Sequence, residues 1–140
     1  MKKAIKIILG IILIPVILIA LLIGYLFLQD ARERAQADKV EMVVKYDTKA
    51  CSEDFPLAVV IRNNSDRTVN SIDFDITIRR KGYSKDLSDW MIDYESDKII
   101  KPGDAHGSCW RYKLRSEYER YNNPKNLEFE IGYKSVRFSN

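Results

Sequence analysis

The chain of 140 residues has room for one domain of ordinary size plus a tail, since independently folding domains need on the order of 100 residues. Of its 23 Lys and Arg, three (Lys2, Lys3 and Lys6) precede or begin the first apolar run, and the other 20 equal the 20 Asp and Glu, all of which follow Leu28. A domain that is neutral overall lacks the positive excess typical of nucleic-acid-binding domains, and no nucleic-acid partner is expected.

Residues 4–28, "AIKIILGIILIPVILIALLIGYLFL", carry Lys6 as their only charge. A hydrocarbon core of about 30 Å needs about 20 apolar residues in a helix, so this stretch is long enough to span a bilayer. A secretory signal peptide is the competing reading, because "MKK" is a basic start and Ala35-Gln36-Ala37 resembles a cleavage site. Its apolar region should be only about 7 to 15 residues, however, and the charged "QDARER" separates the run from that site. An uncleaved anchor over residues 1–28 is therefore expected, with a mild kink at Pro15. Unopposed lysines before the span place the N-terminus in the cytoplasm and export everything after Leu28. The lysine-rich start has the composition of a bacterial chain, which makes the expected location the inner membrane with the C-terminal domain in the periplasm or outside the cell.

Residues 29–39, "QDARERAQADK", are helix formers without an apolar face and predict a charged helical stalk. From residue 40 to residue 140 the period changes to two. "VEMVVKYD" and "PLAVVIRN" are strand candidates separated by turn signals, and in "SIDFDITIRR" Ile72, Phe74, Ile76 and Ile78 alternate with Asp73, Asp75, Thr77 and Arg79. That pattern puts one face in a core and one in water. "DKIIKPGD" reads as a strand ending in a Pro-Gly turn. In "GSCWRYKL", Cys109, Arg111 and Lys113 oppose Trp110 and Tyr112, and "NLEFEIGYKSVRF" alternates through Leu127, Phe129, Ile131 and Tyr133. Six or seven strands, with "RSEYERY" as a short helix, predict a mainly β domain of the antiparallel sandwich class. The longest irregular stretch, residues 80–97, would link two sheets or cover an edge.

The run "VVIRNNSDRTVNSIDFDITIRRKGYS" followed by "IIKPGDAHGSC" resembles the FxLYD-type and related immunoglobulin-like domains of bacterial envelope proteins. In those, a strand ending in Asn-x-Ser leads through a turn to a long alternating strand, and a Pro-Gly turn precedes the next strand. The resemblance implies an immunoglobulin-like β-sandwich and an envelope location; it carries over no catalytic residues.

Chemistry-bearing motifs are sparse. His106 lies near Asp104 and Cys109, but the paired ligand spacings of a zinc site are missing, so no metal or other cofactor is expected. Glu128 and Glu130, like Asp73 and Asp75, share a strand face as a glycosidase pair would, yet alternate water-facing positions are normally charged. No phosphate loop or nucleophile elbow occurs, and no enzymatic activity is expected. Arg79, Arg80 and Lys81 form the one basic cluster. Tyr83, Trp90, Met91 and Tyr94 in the long loop are the residue types that favour interface centres, or they close one end of the core. Together these seven are the candidate partner-binding residues.

Two classes of function follow: a membrane-anchored accessory subunit that binds a membrane or envelope protein, or an envelope enzyme or ligand carrier acting on cell-wall or lipid material. The former should expose an apolar or aromatic patch, and the latter should enclose an apolar cavity. Cys51 and Cys109, even in number and exported to an oxidising compartment, are expected to form an intradomain disulfide worth about 4 kcal/mol in the chain-entropy picture.

Overall fold

The computed structural model describes residues 2–89 and 91–139, with side chains from residue 14 onward. Two units emerge, Met1–Ala35 and Gln36–Asn140. The apolar N-terminal run forms one helix, α1 (Lys2–Asp38), which is uninterrupted at Pro15. At 1.5 Å per residue its 37 residues extend about 55 Å, more than a hydrocarbon core requires. Every side chain from Ile14 to Leu28 is exposed. An exposed apolar surface of this kind suits lipid rather than water, and the helix is long and apolar enough to cross a membrane.

Among the described residues the second unit contains six strands: β1 (Val40–Tyr46), β2 (Leu57–Asn63), β3 (Val69–Arg80), β4 (Tyr94–Ser96), β5 (Ala105–Trp110) and β6 (Leu127–Phe138). They form two antiparallel three-stranded sheets, in the orders β1-β2-β5 and β4-β3-β6. The inner faces share one core. Val40, Val44, Leu57, Val59 and Ile61 come from the first sheet, and Val69, Ile72, Phe74, Ile76, Ile78, Tyr94 and Leu127 from the second. An aromatic cluster joins the two: Phe74 stacks on Tyr94 at 5.4 Å between ring centroids, and Trp110 of β5 meets Phe74 edge-on at 5.5 Å. A second cluster brings Tyr46 of β1 and Tyr112 against Phe129 of β6, at 6.1 and 5.1 Å. Such pairs add about 0.5–1.5 kcal/mol each beyond their burial.

The alternation expected in β3 is present, with Ile72, Phe74, Ile76 and Ile78 all buried. The alternation expected in β6 fails at Tyr133, which is 61% exposed. Pairing shifts there: Ile76 faces Ile131 while Phe74 faces Lys134, so Gly132 and Tyr133 together oppose Asp75 in a β-bulge. The extra residue reverses the facing, and Lys134, Val136 and Phe138 turn inward in place of Tyr133 and Ser135. Lys134 directs its ammonium to the carbonyl of Val40 on β1. Gly132 suits the crowded side of the bulge, because a Cβ there would stand 2.5 Å from Thr77 Oγ1.

Two further expectations need correction and a third holds. "DKIIKPGD" is not a strand: only Ile100 pairs, with Val69, while Ile99 is exposed and Pro102 has no N–H with which to extend a ladder. Residues 80–97 are not wholly irregular, since β4 pairs with Ile72–Phe74 of β3 and Asp86 and Ser88 form single bridges to Arg79 and Leu114. "RSEYERY" does form the expected short helix, as a 3-10 helix over Ser116–Tyr121, followed by a second, Pro124–Asn126.

Asn63, at the end of β2, is completely buried and organises three segments. Its Nδ2 donates to the carbonyls of Arg67 at 2.8 Å and Ile100 at 2.9 Å, and its Oδ1 accepts from Ser65 N at 3.1 Å and Ser65 Oγ at 2.6 Å. Its backbone N–H donates to Asp104 O, and its carbonyl accepts from Gly103 N at 2.7 Å. Its side chain thus holds the β2–β3 turn and the Ile100 bridge, and its backbone holds the entry to β5. Asn63→Ala should cost at least about 2 kcal/mol in urea unfolding. Asn63→Asp should cost more at neutral pH, because a carboxylate oxygen would face two carbonyls in a buried site. Wild-type stability in either variant would contradict this role.

Candidate functional site

The turn after β3 is set by Gly82, whose φ of 77° occupies the left-handed region that a four-residue turn of this type requires at its third position. Tyr83 N–H closes the turn on Arg80 O at 2.9 Å. The geometry brings Tyr83 back beside Arg80, whose guanidinium lies 4.3 Å from the Tyr83 ring centre and 4.6 Å from that of Tyr121. Tyr118 and Tyr121 sit one turn apart on the 3-10 segment, with their rings stacked at 6.5 Å. Lys85 Nζ lies 4.8 Å from the Tyr118 ring, and the Arg120 guanidinium 4.8 Å from that of Tyr121. With Leu87 as the buried floor, these residues line a cleft of about 230 Å³.

The predicted basic cluster therefore divides. Arg80 lines the cleft, whereas Arg79 points across the sheet to Glu130, 2.5 Å from its carboxylate. Lys81 is exposed beside it, its backbone tied to Asn126 O at 2.9 Å. The predicted aromatic group divides as well. Tyr83 is in the cleft, Met91 is 71% exposed outside it, and Trp90 lies outside the described residues. Tyr94 is only 6% exposed and belongs to the core, its hydroxyl donating to Arg111 O at 3.1 Å. It cannot serve as an exposed contact because β4 turns it inward against Phe74. Met91 is held at the surface by Asp89, whose carboxylate accepts from Met91 N–H at 3.1 Å and pairs with Lys113 at 3.1 Å. The Met91 hydrogen bond first, and Lys113 second, hold the Asp89 carboxyl below its usual range.

Lys85, Tyr118, Arg120 and Tyr121 were not singled out by sequence reasoning. The i, i+3 spacing of the two tyrosines in "YERY" was the available signal, since it stacks their rings on one side of a tight helical turn.

Cys51 and Cys109 stand at disulfide distance, their α-carbons 5.8 Å apart. The Asp47 turn presents Cys51: its carboxylate accepts from the N–H of Ala50 and Lys49, which holds it below the usual carboxylate value, and its carbonyl accepts from Cys51 N at 3.1 Å. Cys109 lies on the outer face of β5, opposite Ala58. His106, on the same strand, is half-buried and opposite Ile61. Among the described residues no group of His, Cys, Asp and Glu has the arrangement of a metal site.

A second surface comes from the outer face of the β1-β2-β5 sheet. Across its centre Val43, Val60 and Gly107 stand in register, with Val43 51% and Val60 44% exposed. Glu41, Arg62 and Ala105 form the row on one side; Lys45, Ala58 and Cys109 form the row on the other. The sheet thus presents an apolar stripe to solvent, bounded by charge and by the cysteine pair.

Burial in the core pushes the Tyr94 phenol from 10.0 up to about 12, with the nearby Asp75 and Asp89 adding to the effect. Because the folded value lies above the unfolded one, the contribution to stability is complete below pH 10 and is lost as pH rises from 10 through about 12. The melting temperature should fall across that window. Tyr94→Phe should lower it at neutral pH by roughly 4–8 °C, for the loss of about 1 kcal/mol of hydrogen bonding, and should make the alkaline decline shallower. An alkaline decline equally steep in Tyr94→Phe would assign it elsewhere. Comparison of the chain with protein-family models, curated proteins and solved structures found no match.

Proposed function

We propose that this chain is a membrane-anchored envelope protein whose domain, an immunoglobulin-like β-sandwich exported behind α1, binds another membrane or envelope protein as an accessory subunit of a complex. The observation that carries the proposal is the in-register apolar stripe of Val43, Val60 and Gly107. Single exposed apolar residues are ordinary on protein surfaces. A contiguous row on the open face of a sheet, flanked by Glu41 and Arg62 on one side and Lys45 on the other, is the anatomy of a contact patch with a polar rim. The helix supports an anchored role because it is long and apolar enough to cross a membrane. A tethered domain searches for partners in two dimensions, so a patch of modest area suffices for specific association.

The ligand-binding alternative draws on a different observation, the cationic cleft around Arg80, and is compatible with a protein-binding sheet face on the opposite sheet of the same domain.

A photo-cross-linking residue placed at position 43 or 60 of the full chain, activated in intact membranes, should give one discrete adduct. The same residue at position 128, on the outer face of β6, should not. Val60→Lys should abolish the adduct formed from position 43 while the melting temperature changes by no more than a few degrees. Absence of any adduct at 43 and 60, or the same adducts at all three positions, would refute the assignment of this face.

A further inference from the structure

The cleft at the end of β3 combines features that a solvated loop does not need. Three cations, Arg80, Lys85 and Arg120, converge on one opening of about 230 Å³. Among the described residues none of them forms an ion pair with a carboxylate. Asp86, the acid nearest in sequence to Lys85, is already taken up: Oδ1 accepts from Ile78 N–H at 3.1 Å and Ser88 N–H at 3.0 Å, and Oδ2 from Ser88 Oγ at 2.9 Å. Glu117 and Glu119 lie on the same 3-10 segment as Tyr118, exposed to solvent. The cations are held instead by ring faces: Arg80 between Tyr83 and Tyr121, Lys85 on Tyr118, and Arg120 on Tyr121. Arg115 stands behind Tyr118 at 5.3 Å; its Nη2 donates to Asp86 O, and its buried Nε has no partner.

Cation–π packing positions a guanidinium or ammonium without neutralising it. The charges therefore remain available to an incoming anion, and the ring contacts fix them in advance, which reduces the ordering cost of binding. Leu87 and the tyrosine rings give the cleft an apolar floor beneath this charged rim. A carboxylate brings one charge and two oxygens. A phosphate monoester brings close to two charges and three acceptor oxygens, which matches three unneutralised cations. The geometry points to a binding site for a phosphate monoester with a small body resting on the Leu87 and tyrosine floor. The cleft lies at the C-terminal end of β3, whereas Gln36, where the second unit begins, bonds to Asp66 just before the start of that strand. Twelve residues of strand, about 36 Å, separate the two ends.

The test uses the full chain in phosphatidylcholine nanodiscs. Binding is followed by calorimetry and by tyrosine fluorescence with four probes: sn-glycerol 3-phosphate, inorganic phosphate, glycerate, and vesicles containing phosphatidic acid. Saturable binding of glycerol phosphate or inorganic phosphate, weakened by added salt and by about tenfold or more in Lys85→Gln/Arg120→Gln, supports the site and a soluble source of the phosphate. Binding of the vesicles alone, weakened by the same double variant, supports the site with a lipid headgroup as the source. Both side chains are exposed, so this variant should fold, and circular dichroism checks that it does. No saturable binding of any probe, binding of glycerate as tight as that of glycerol phosphate, or binding unaltered in the folded double variant would overturn the inference. None of these outcomes depends on the Val43 and Val60 face.

Discussion

The buried amide of Asn63 is the constraint on which the arrangement of the second unit turns. Both ends of its side chain are occupied, and so are its backbone N–H and carbonyl. Those bonds hold the β2–β3 turn, the Ile100 segment and the Pro-Gly turn before β5 around one point. β2 and β5 belong to one sheet and β3 to the other, so the contact fixes where the chain leaves one layer and enters the next. Hydrophobic burial supplies most of the driving force, but it has no direction. A polar group with every partner in place gives the two sheets one relative arrangement rather than several.

Much of this was legible in the residues. The period-two pattern of Ile72, Phe74, Ile76 and Ile78 predicts the inward face of β3, and the even pair of cysteines predicts the 5.8 Å approach of Cys51 and Cys109. The apolar run up to Leu28 predicts a helix long and apolar enough to cross a membrane, which α1 is. What periodicity misses is what interrupts it. Tyr133 reads as inward because alternation is counted along one strand, whereas a bulge is a property of two strands paired. Asn63 reads only as the last residue of a strand, and its bond to Ile100 O, 37 residues away, has no local trace.

The candidate site was legible in the same uneven way. Arg80 and Tyr83 stand close in sequence, and the Gly82 turn between them announces their contact. Tyr118, Arg120 and Tyr121 reach the same cleft from almost forty residues on, which depends on how the chain returns from β5 toward β6. Tyr94 shows two readings decided by pairing. An aromatic residue in a long polar loop suits an interface or closes one end of the core, and the short pairing of β4 with β3 turns it into the core. The domain thus separates two surfaces: an apolar face on one sheet and a cation-rimmed cleft at the end of the other. The two surfaces share no residue, so one domain can use both at once.

An exported domain closed by a disulfide behind a membrane anchor is the central claim, and differential thiol labelling of the full chain in intact cells tests it most directly. With a membrane-impermeant maleimide, the account predicts no labelling of Cys51 or Cys109 before reduction. Labelling of both should follow treatment with a membrane-impermeant phosphine, without lysis. Labelling without any reductant, or labelling that appears only after the cells are broken, would contradict it.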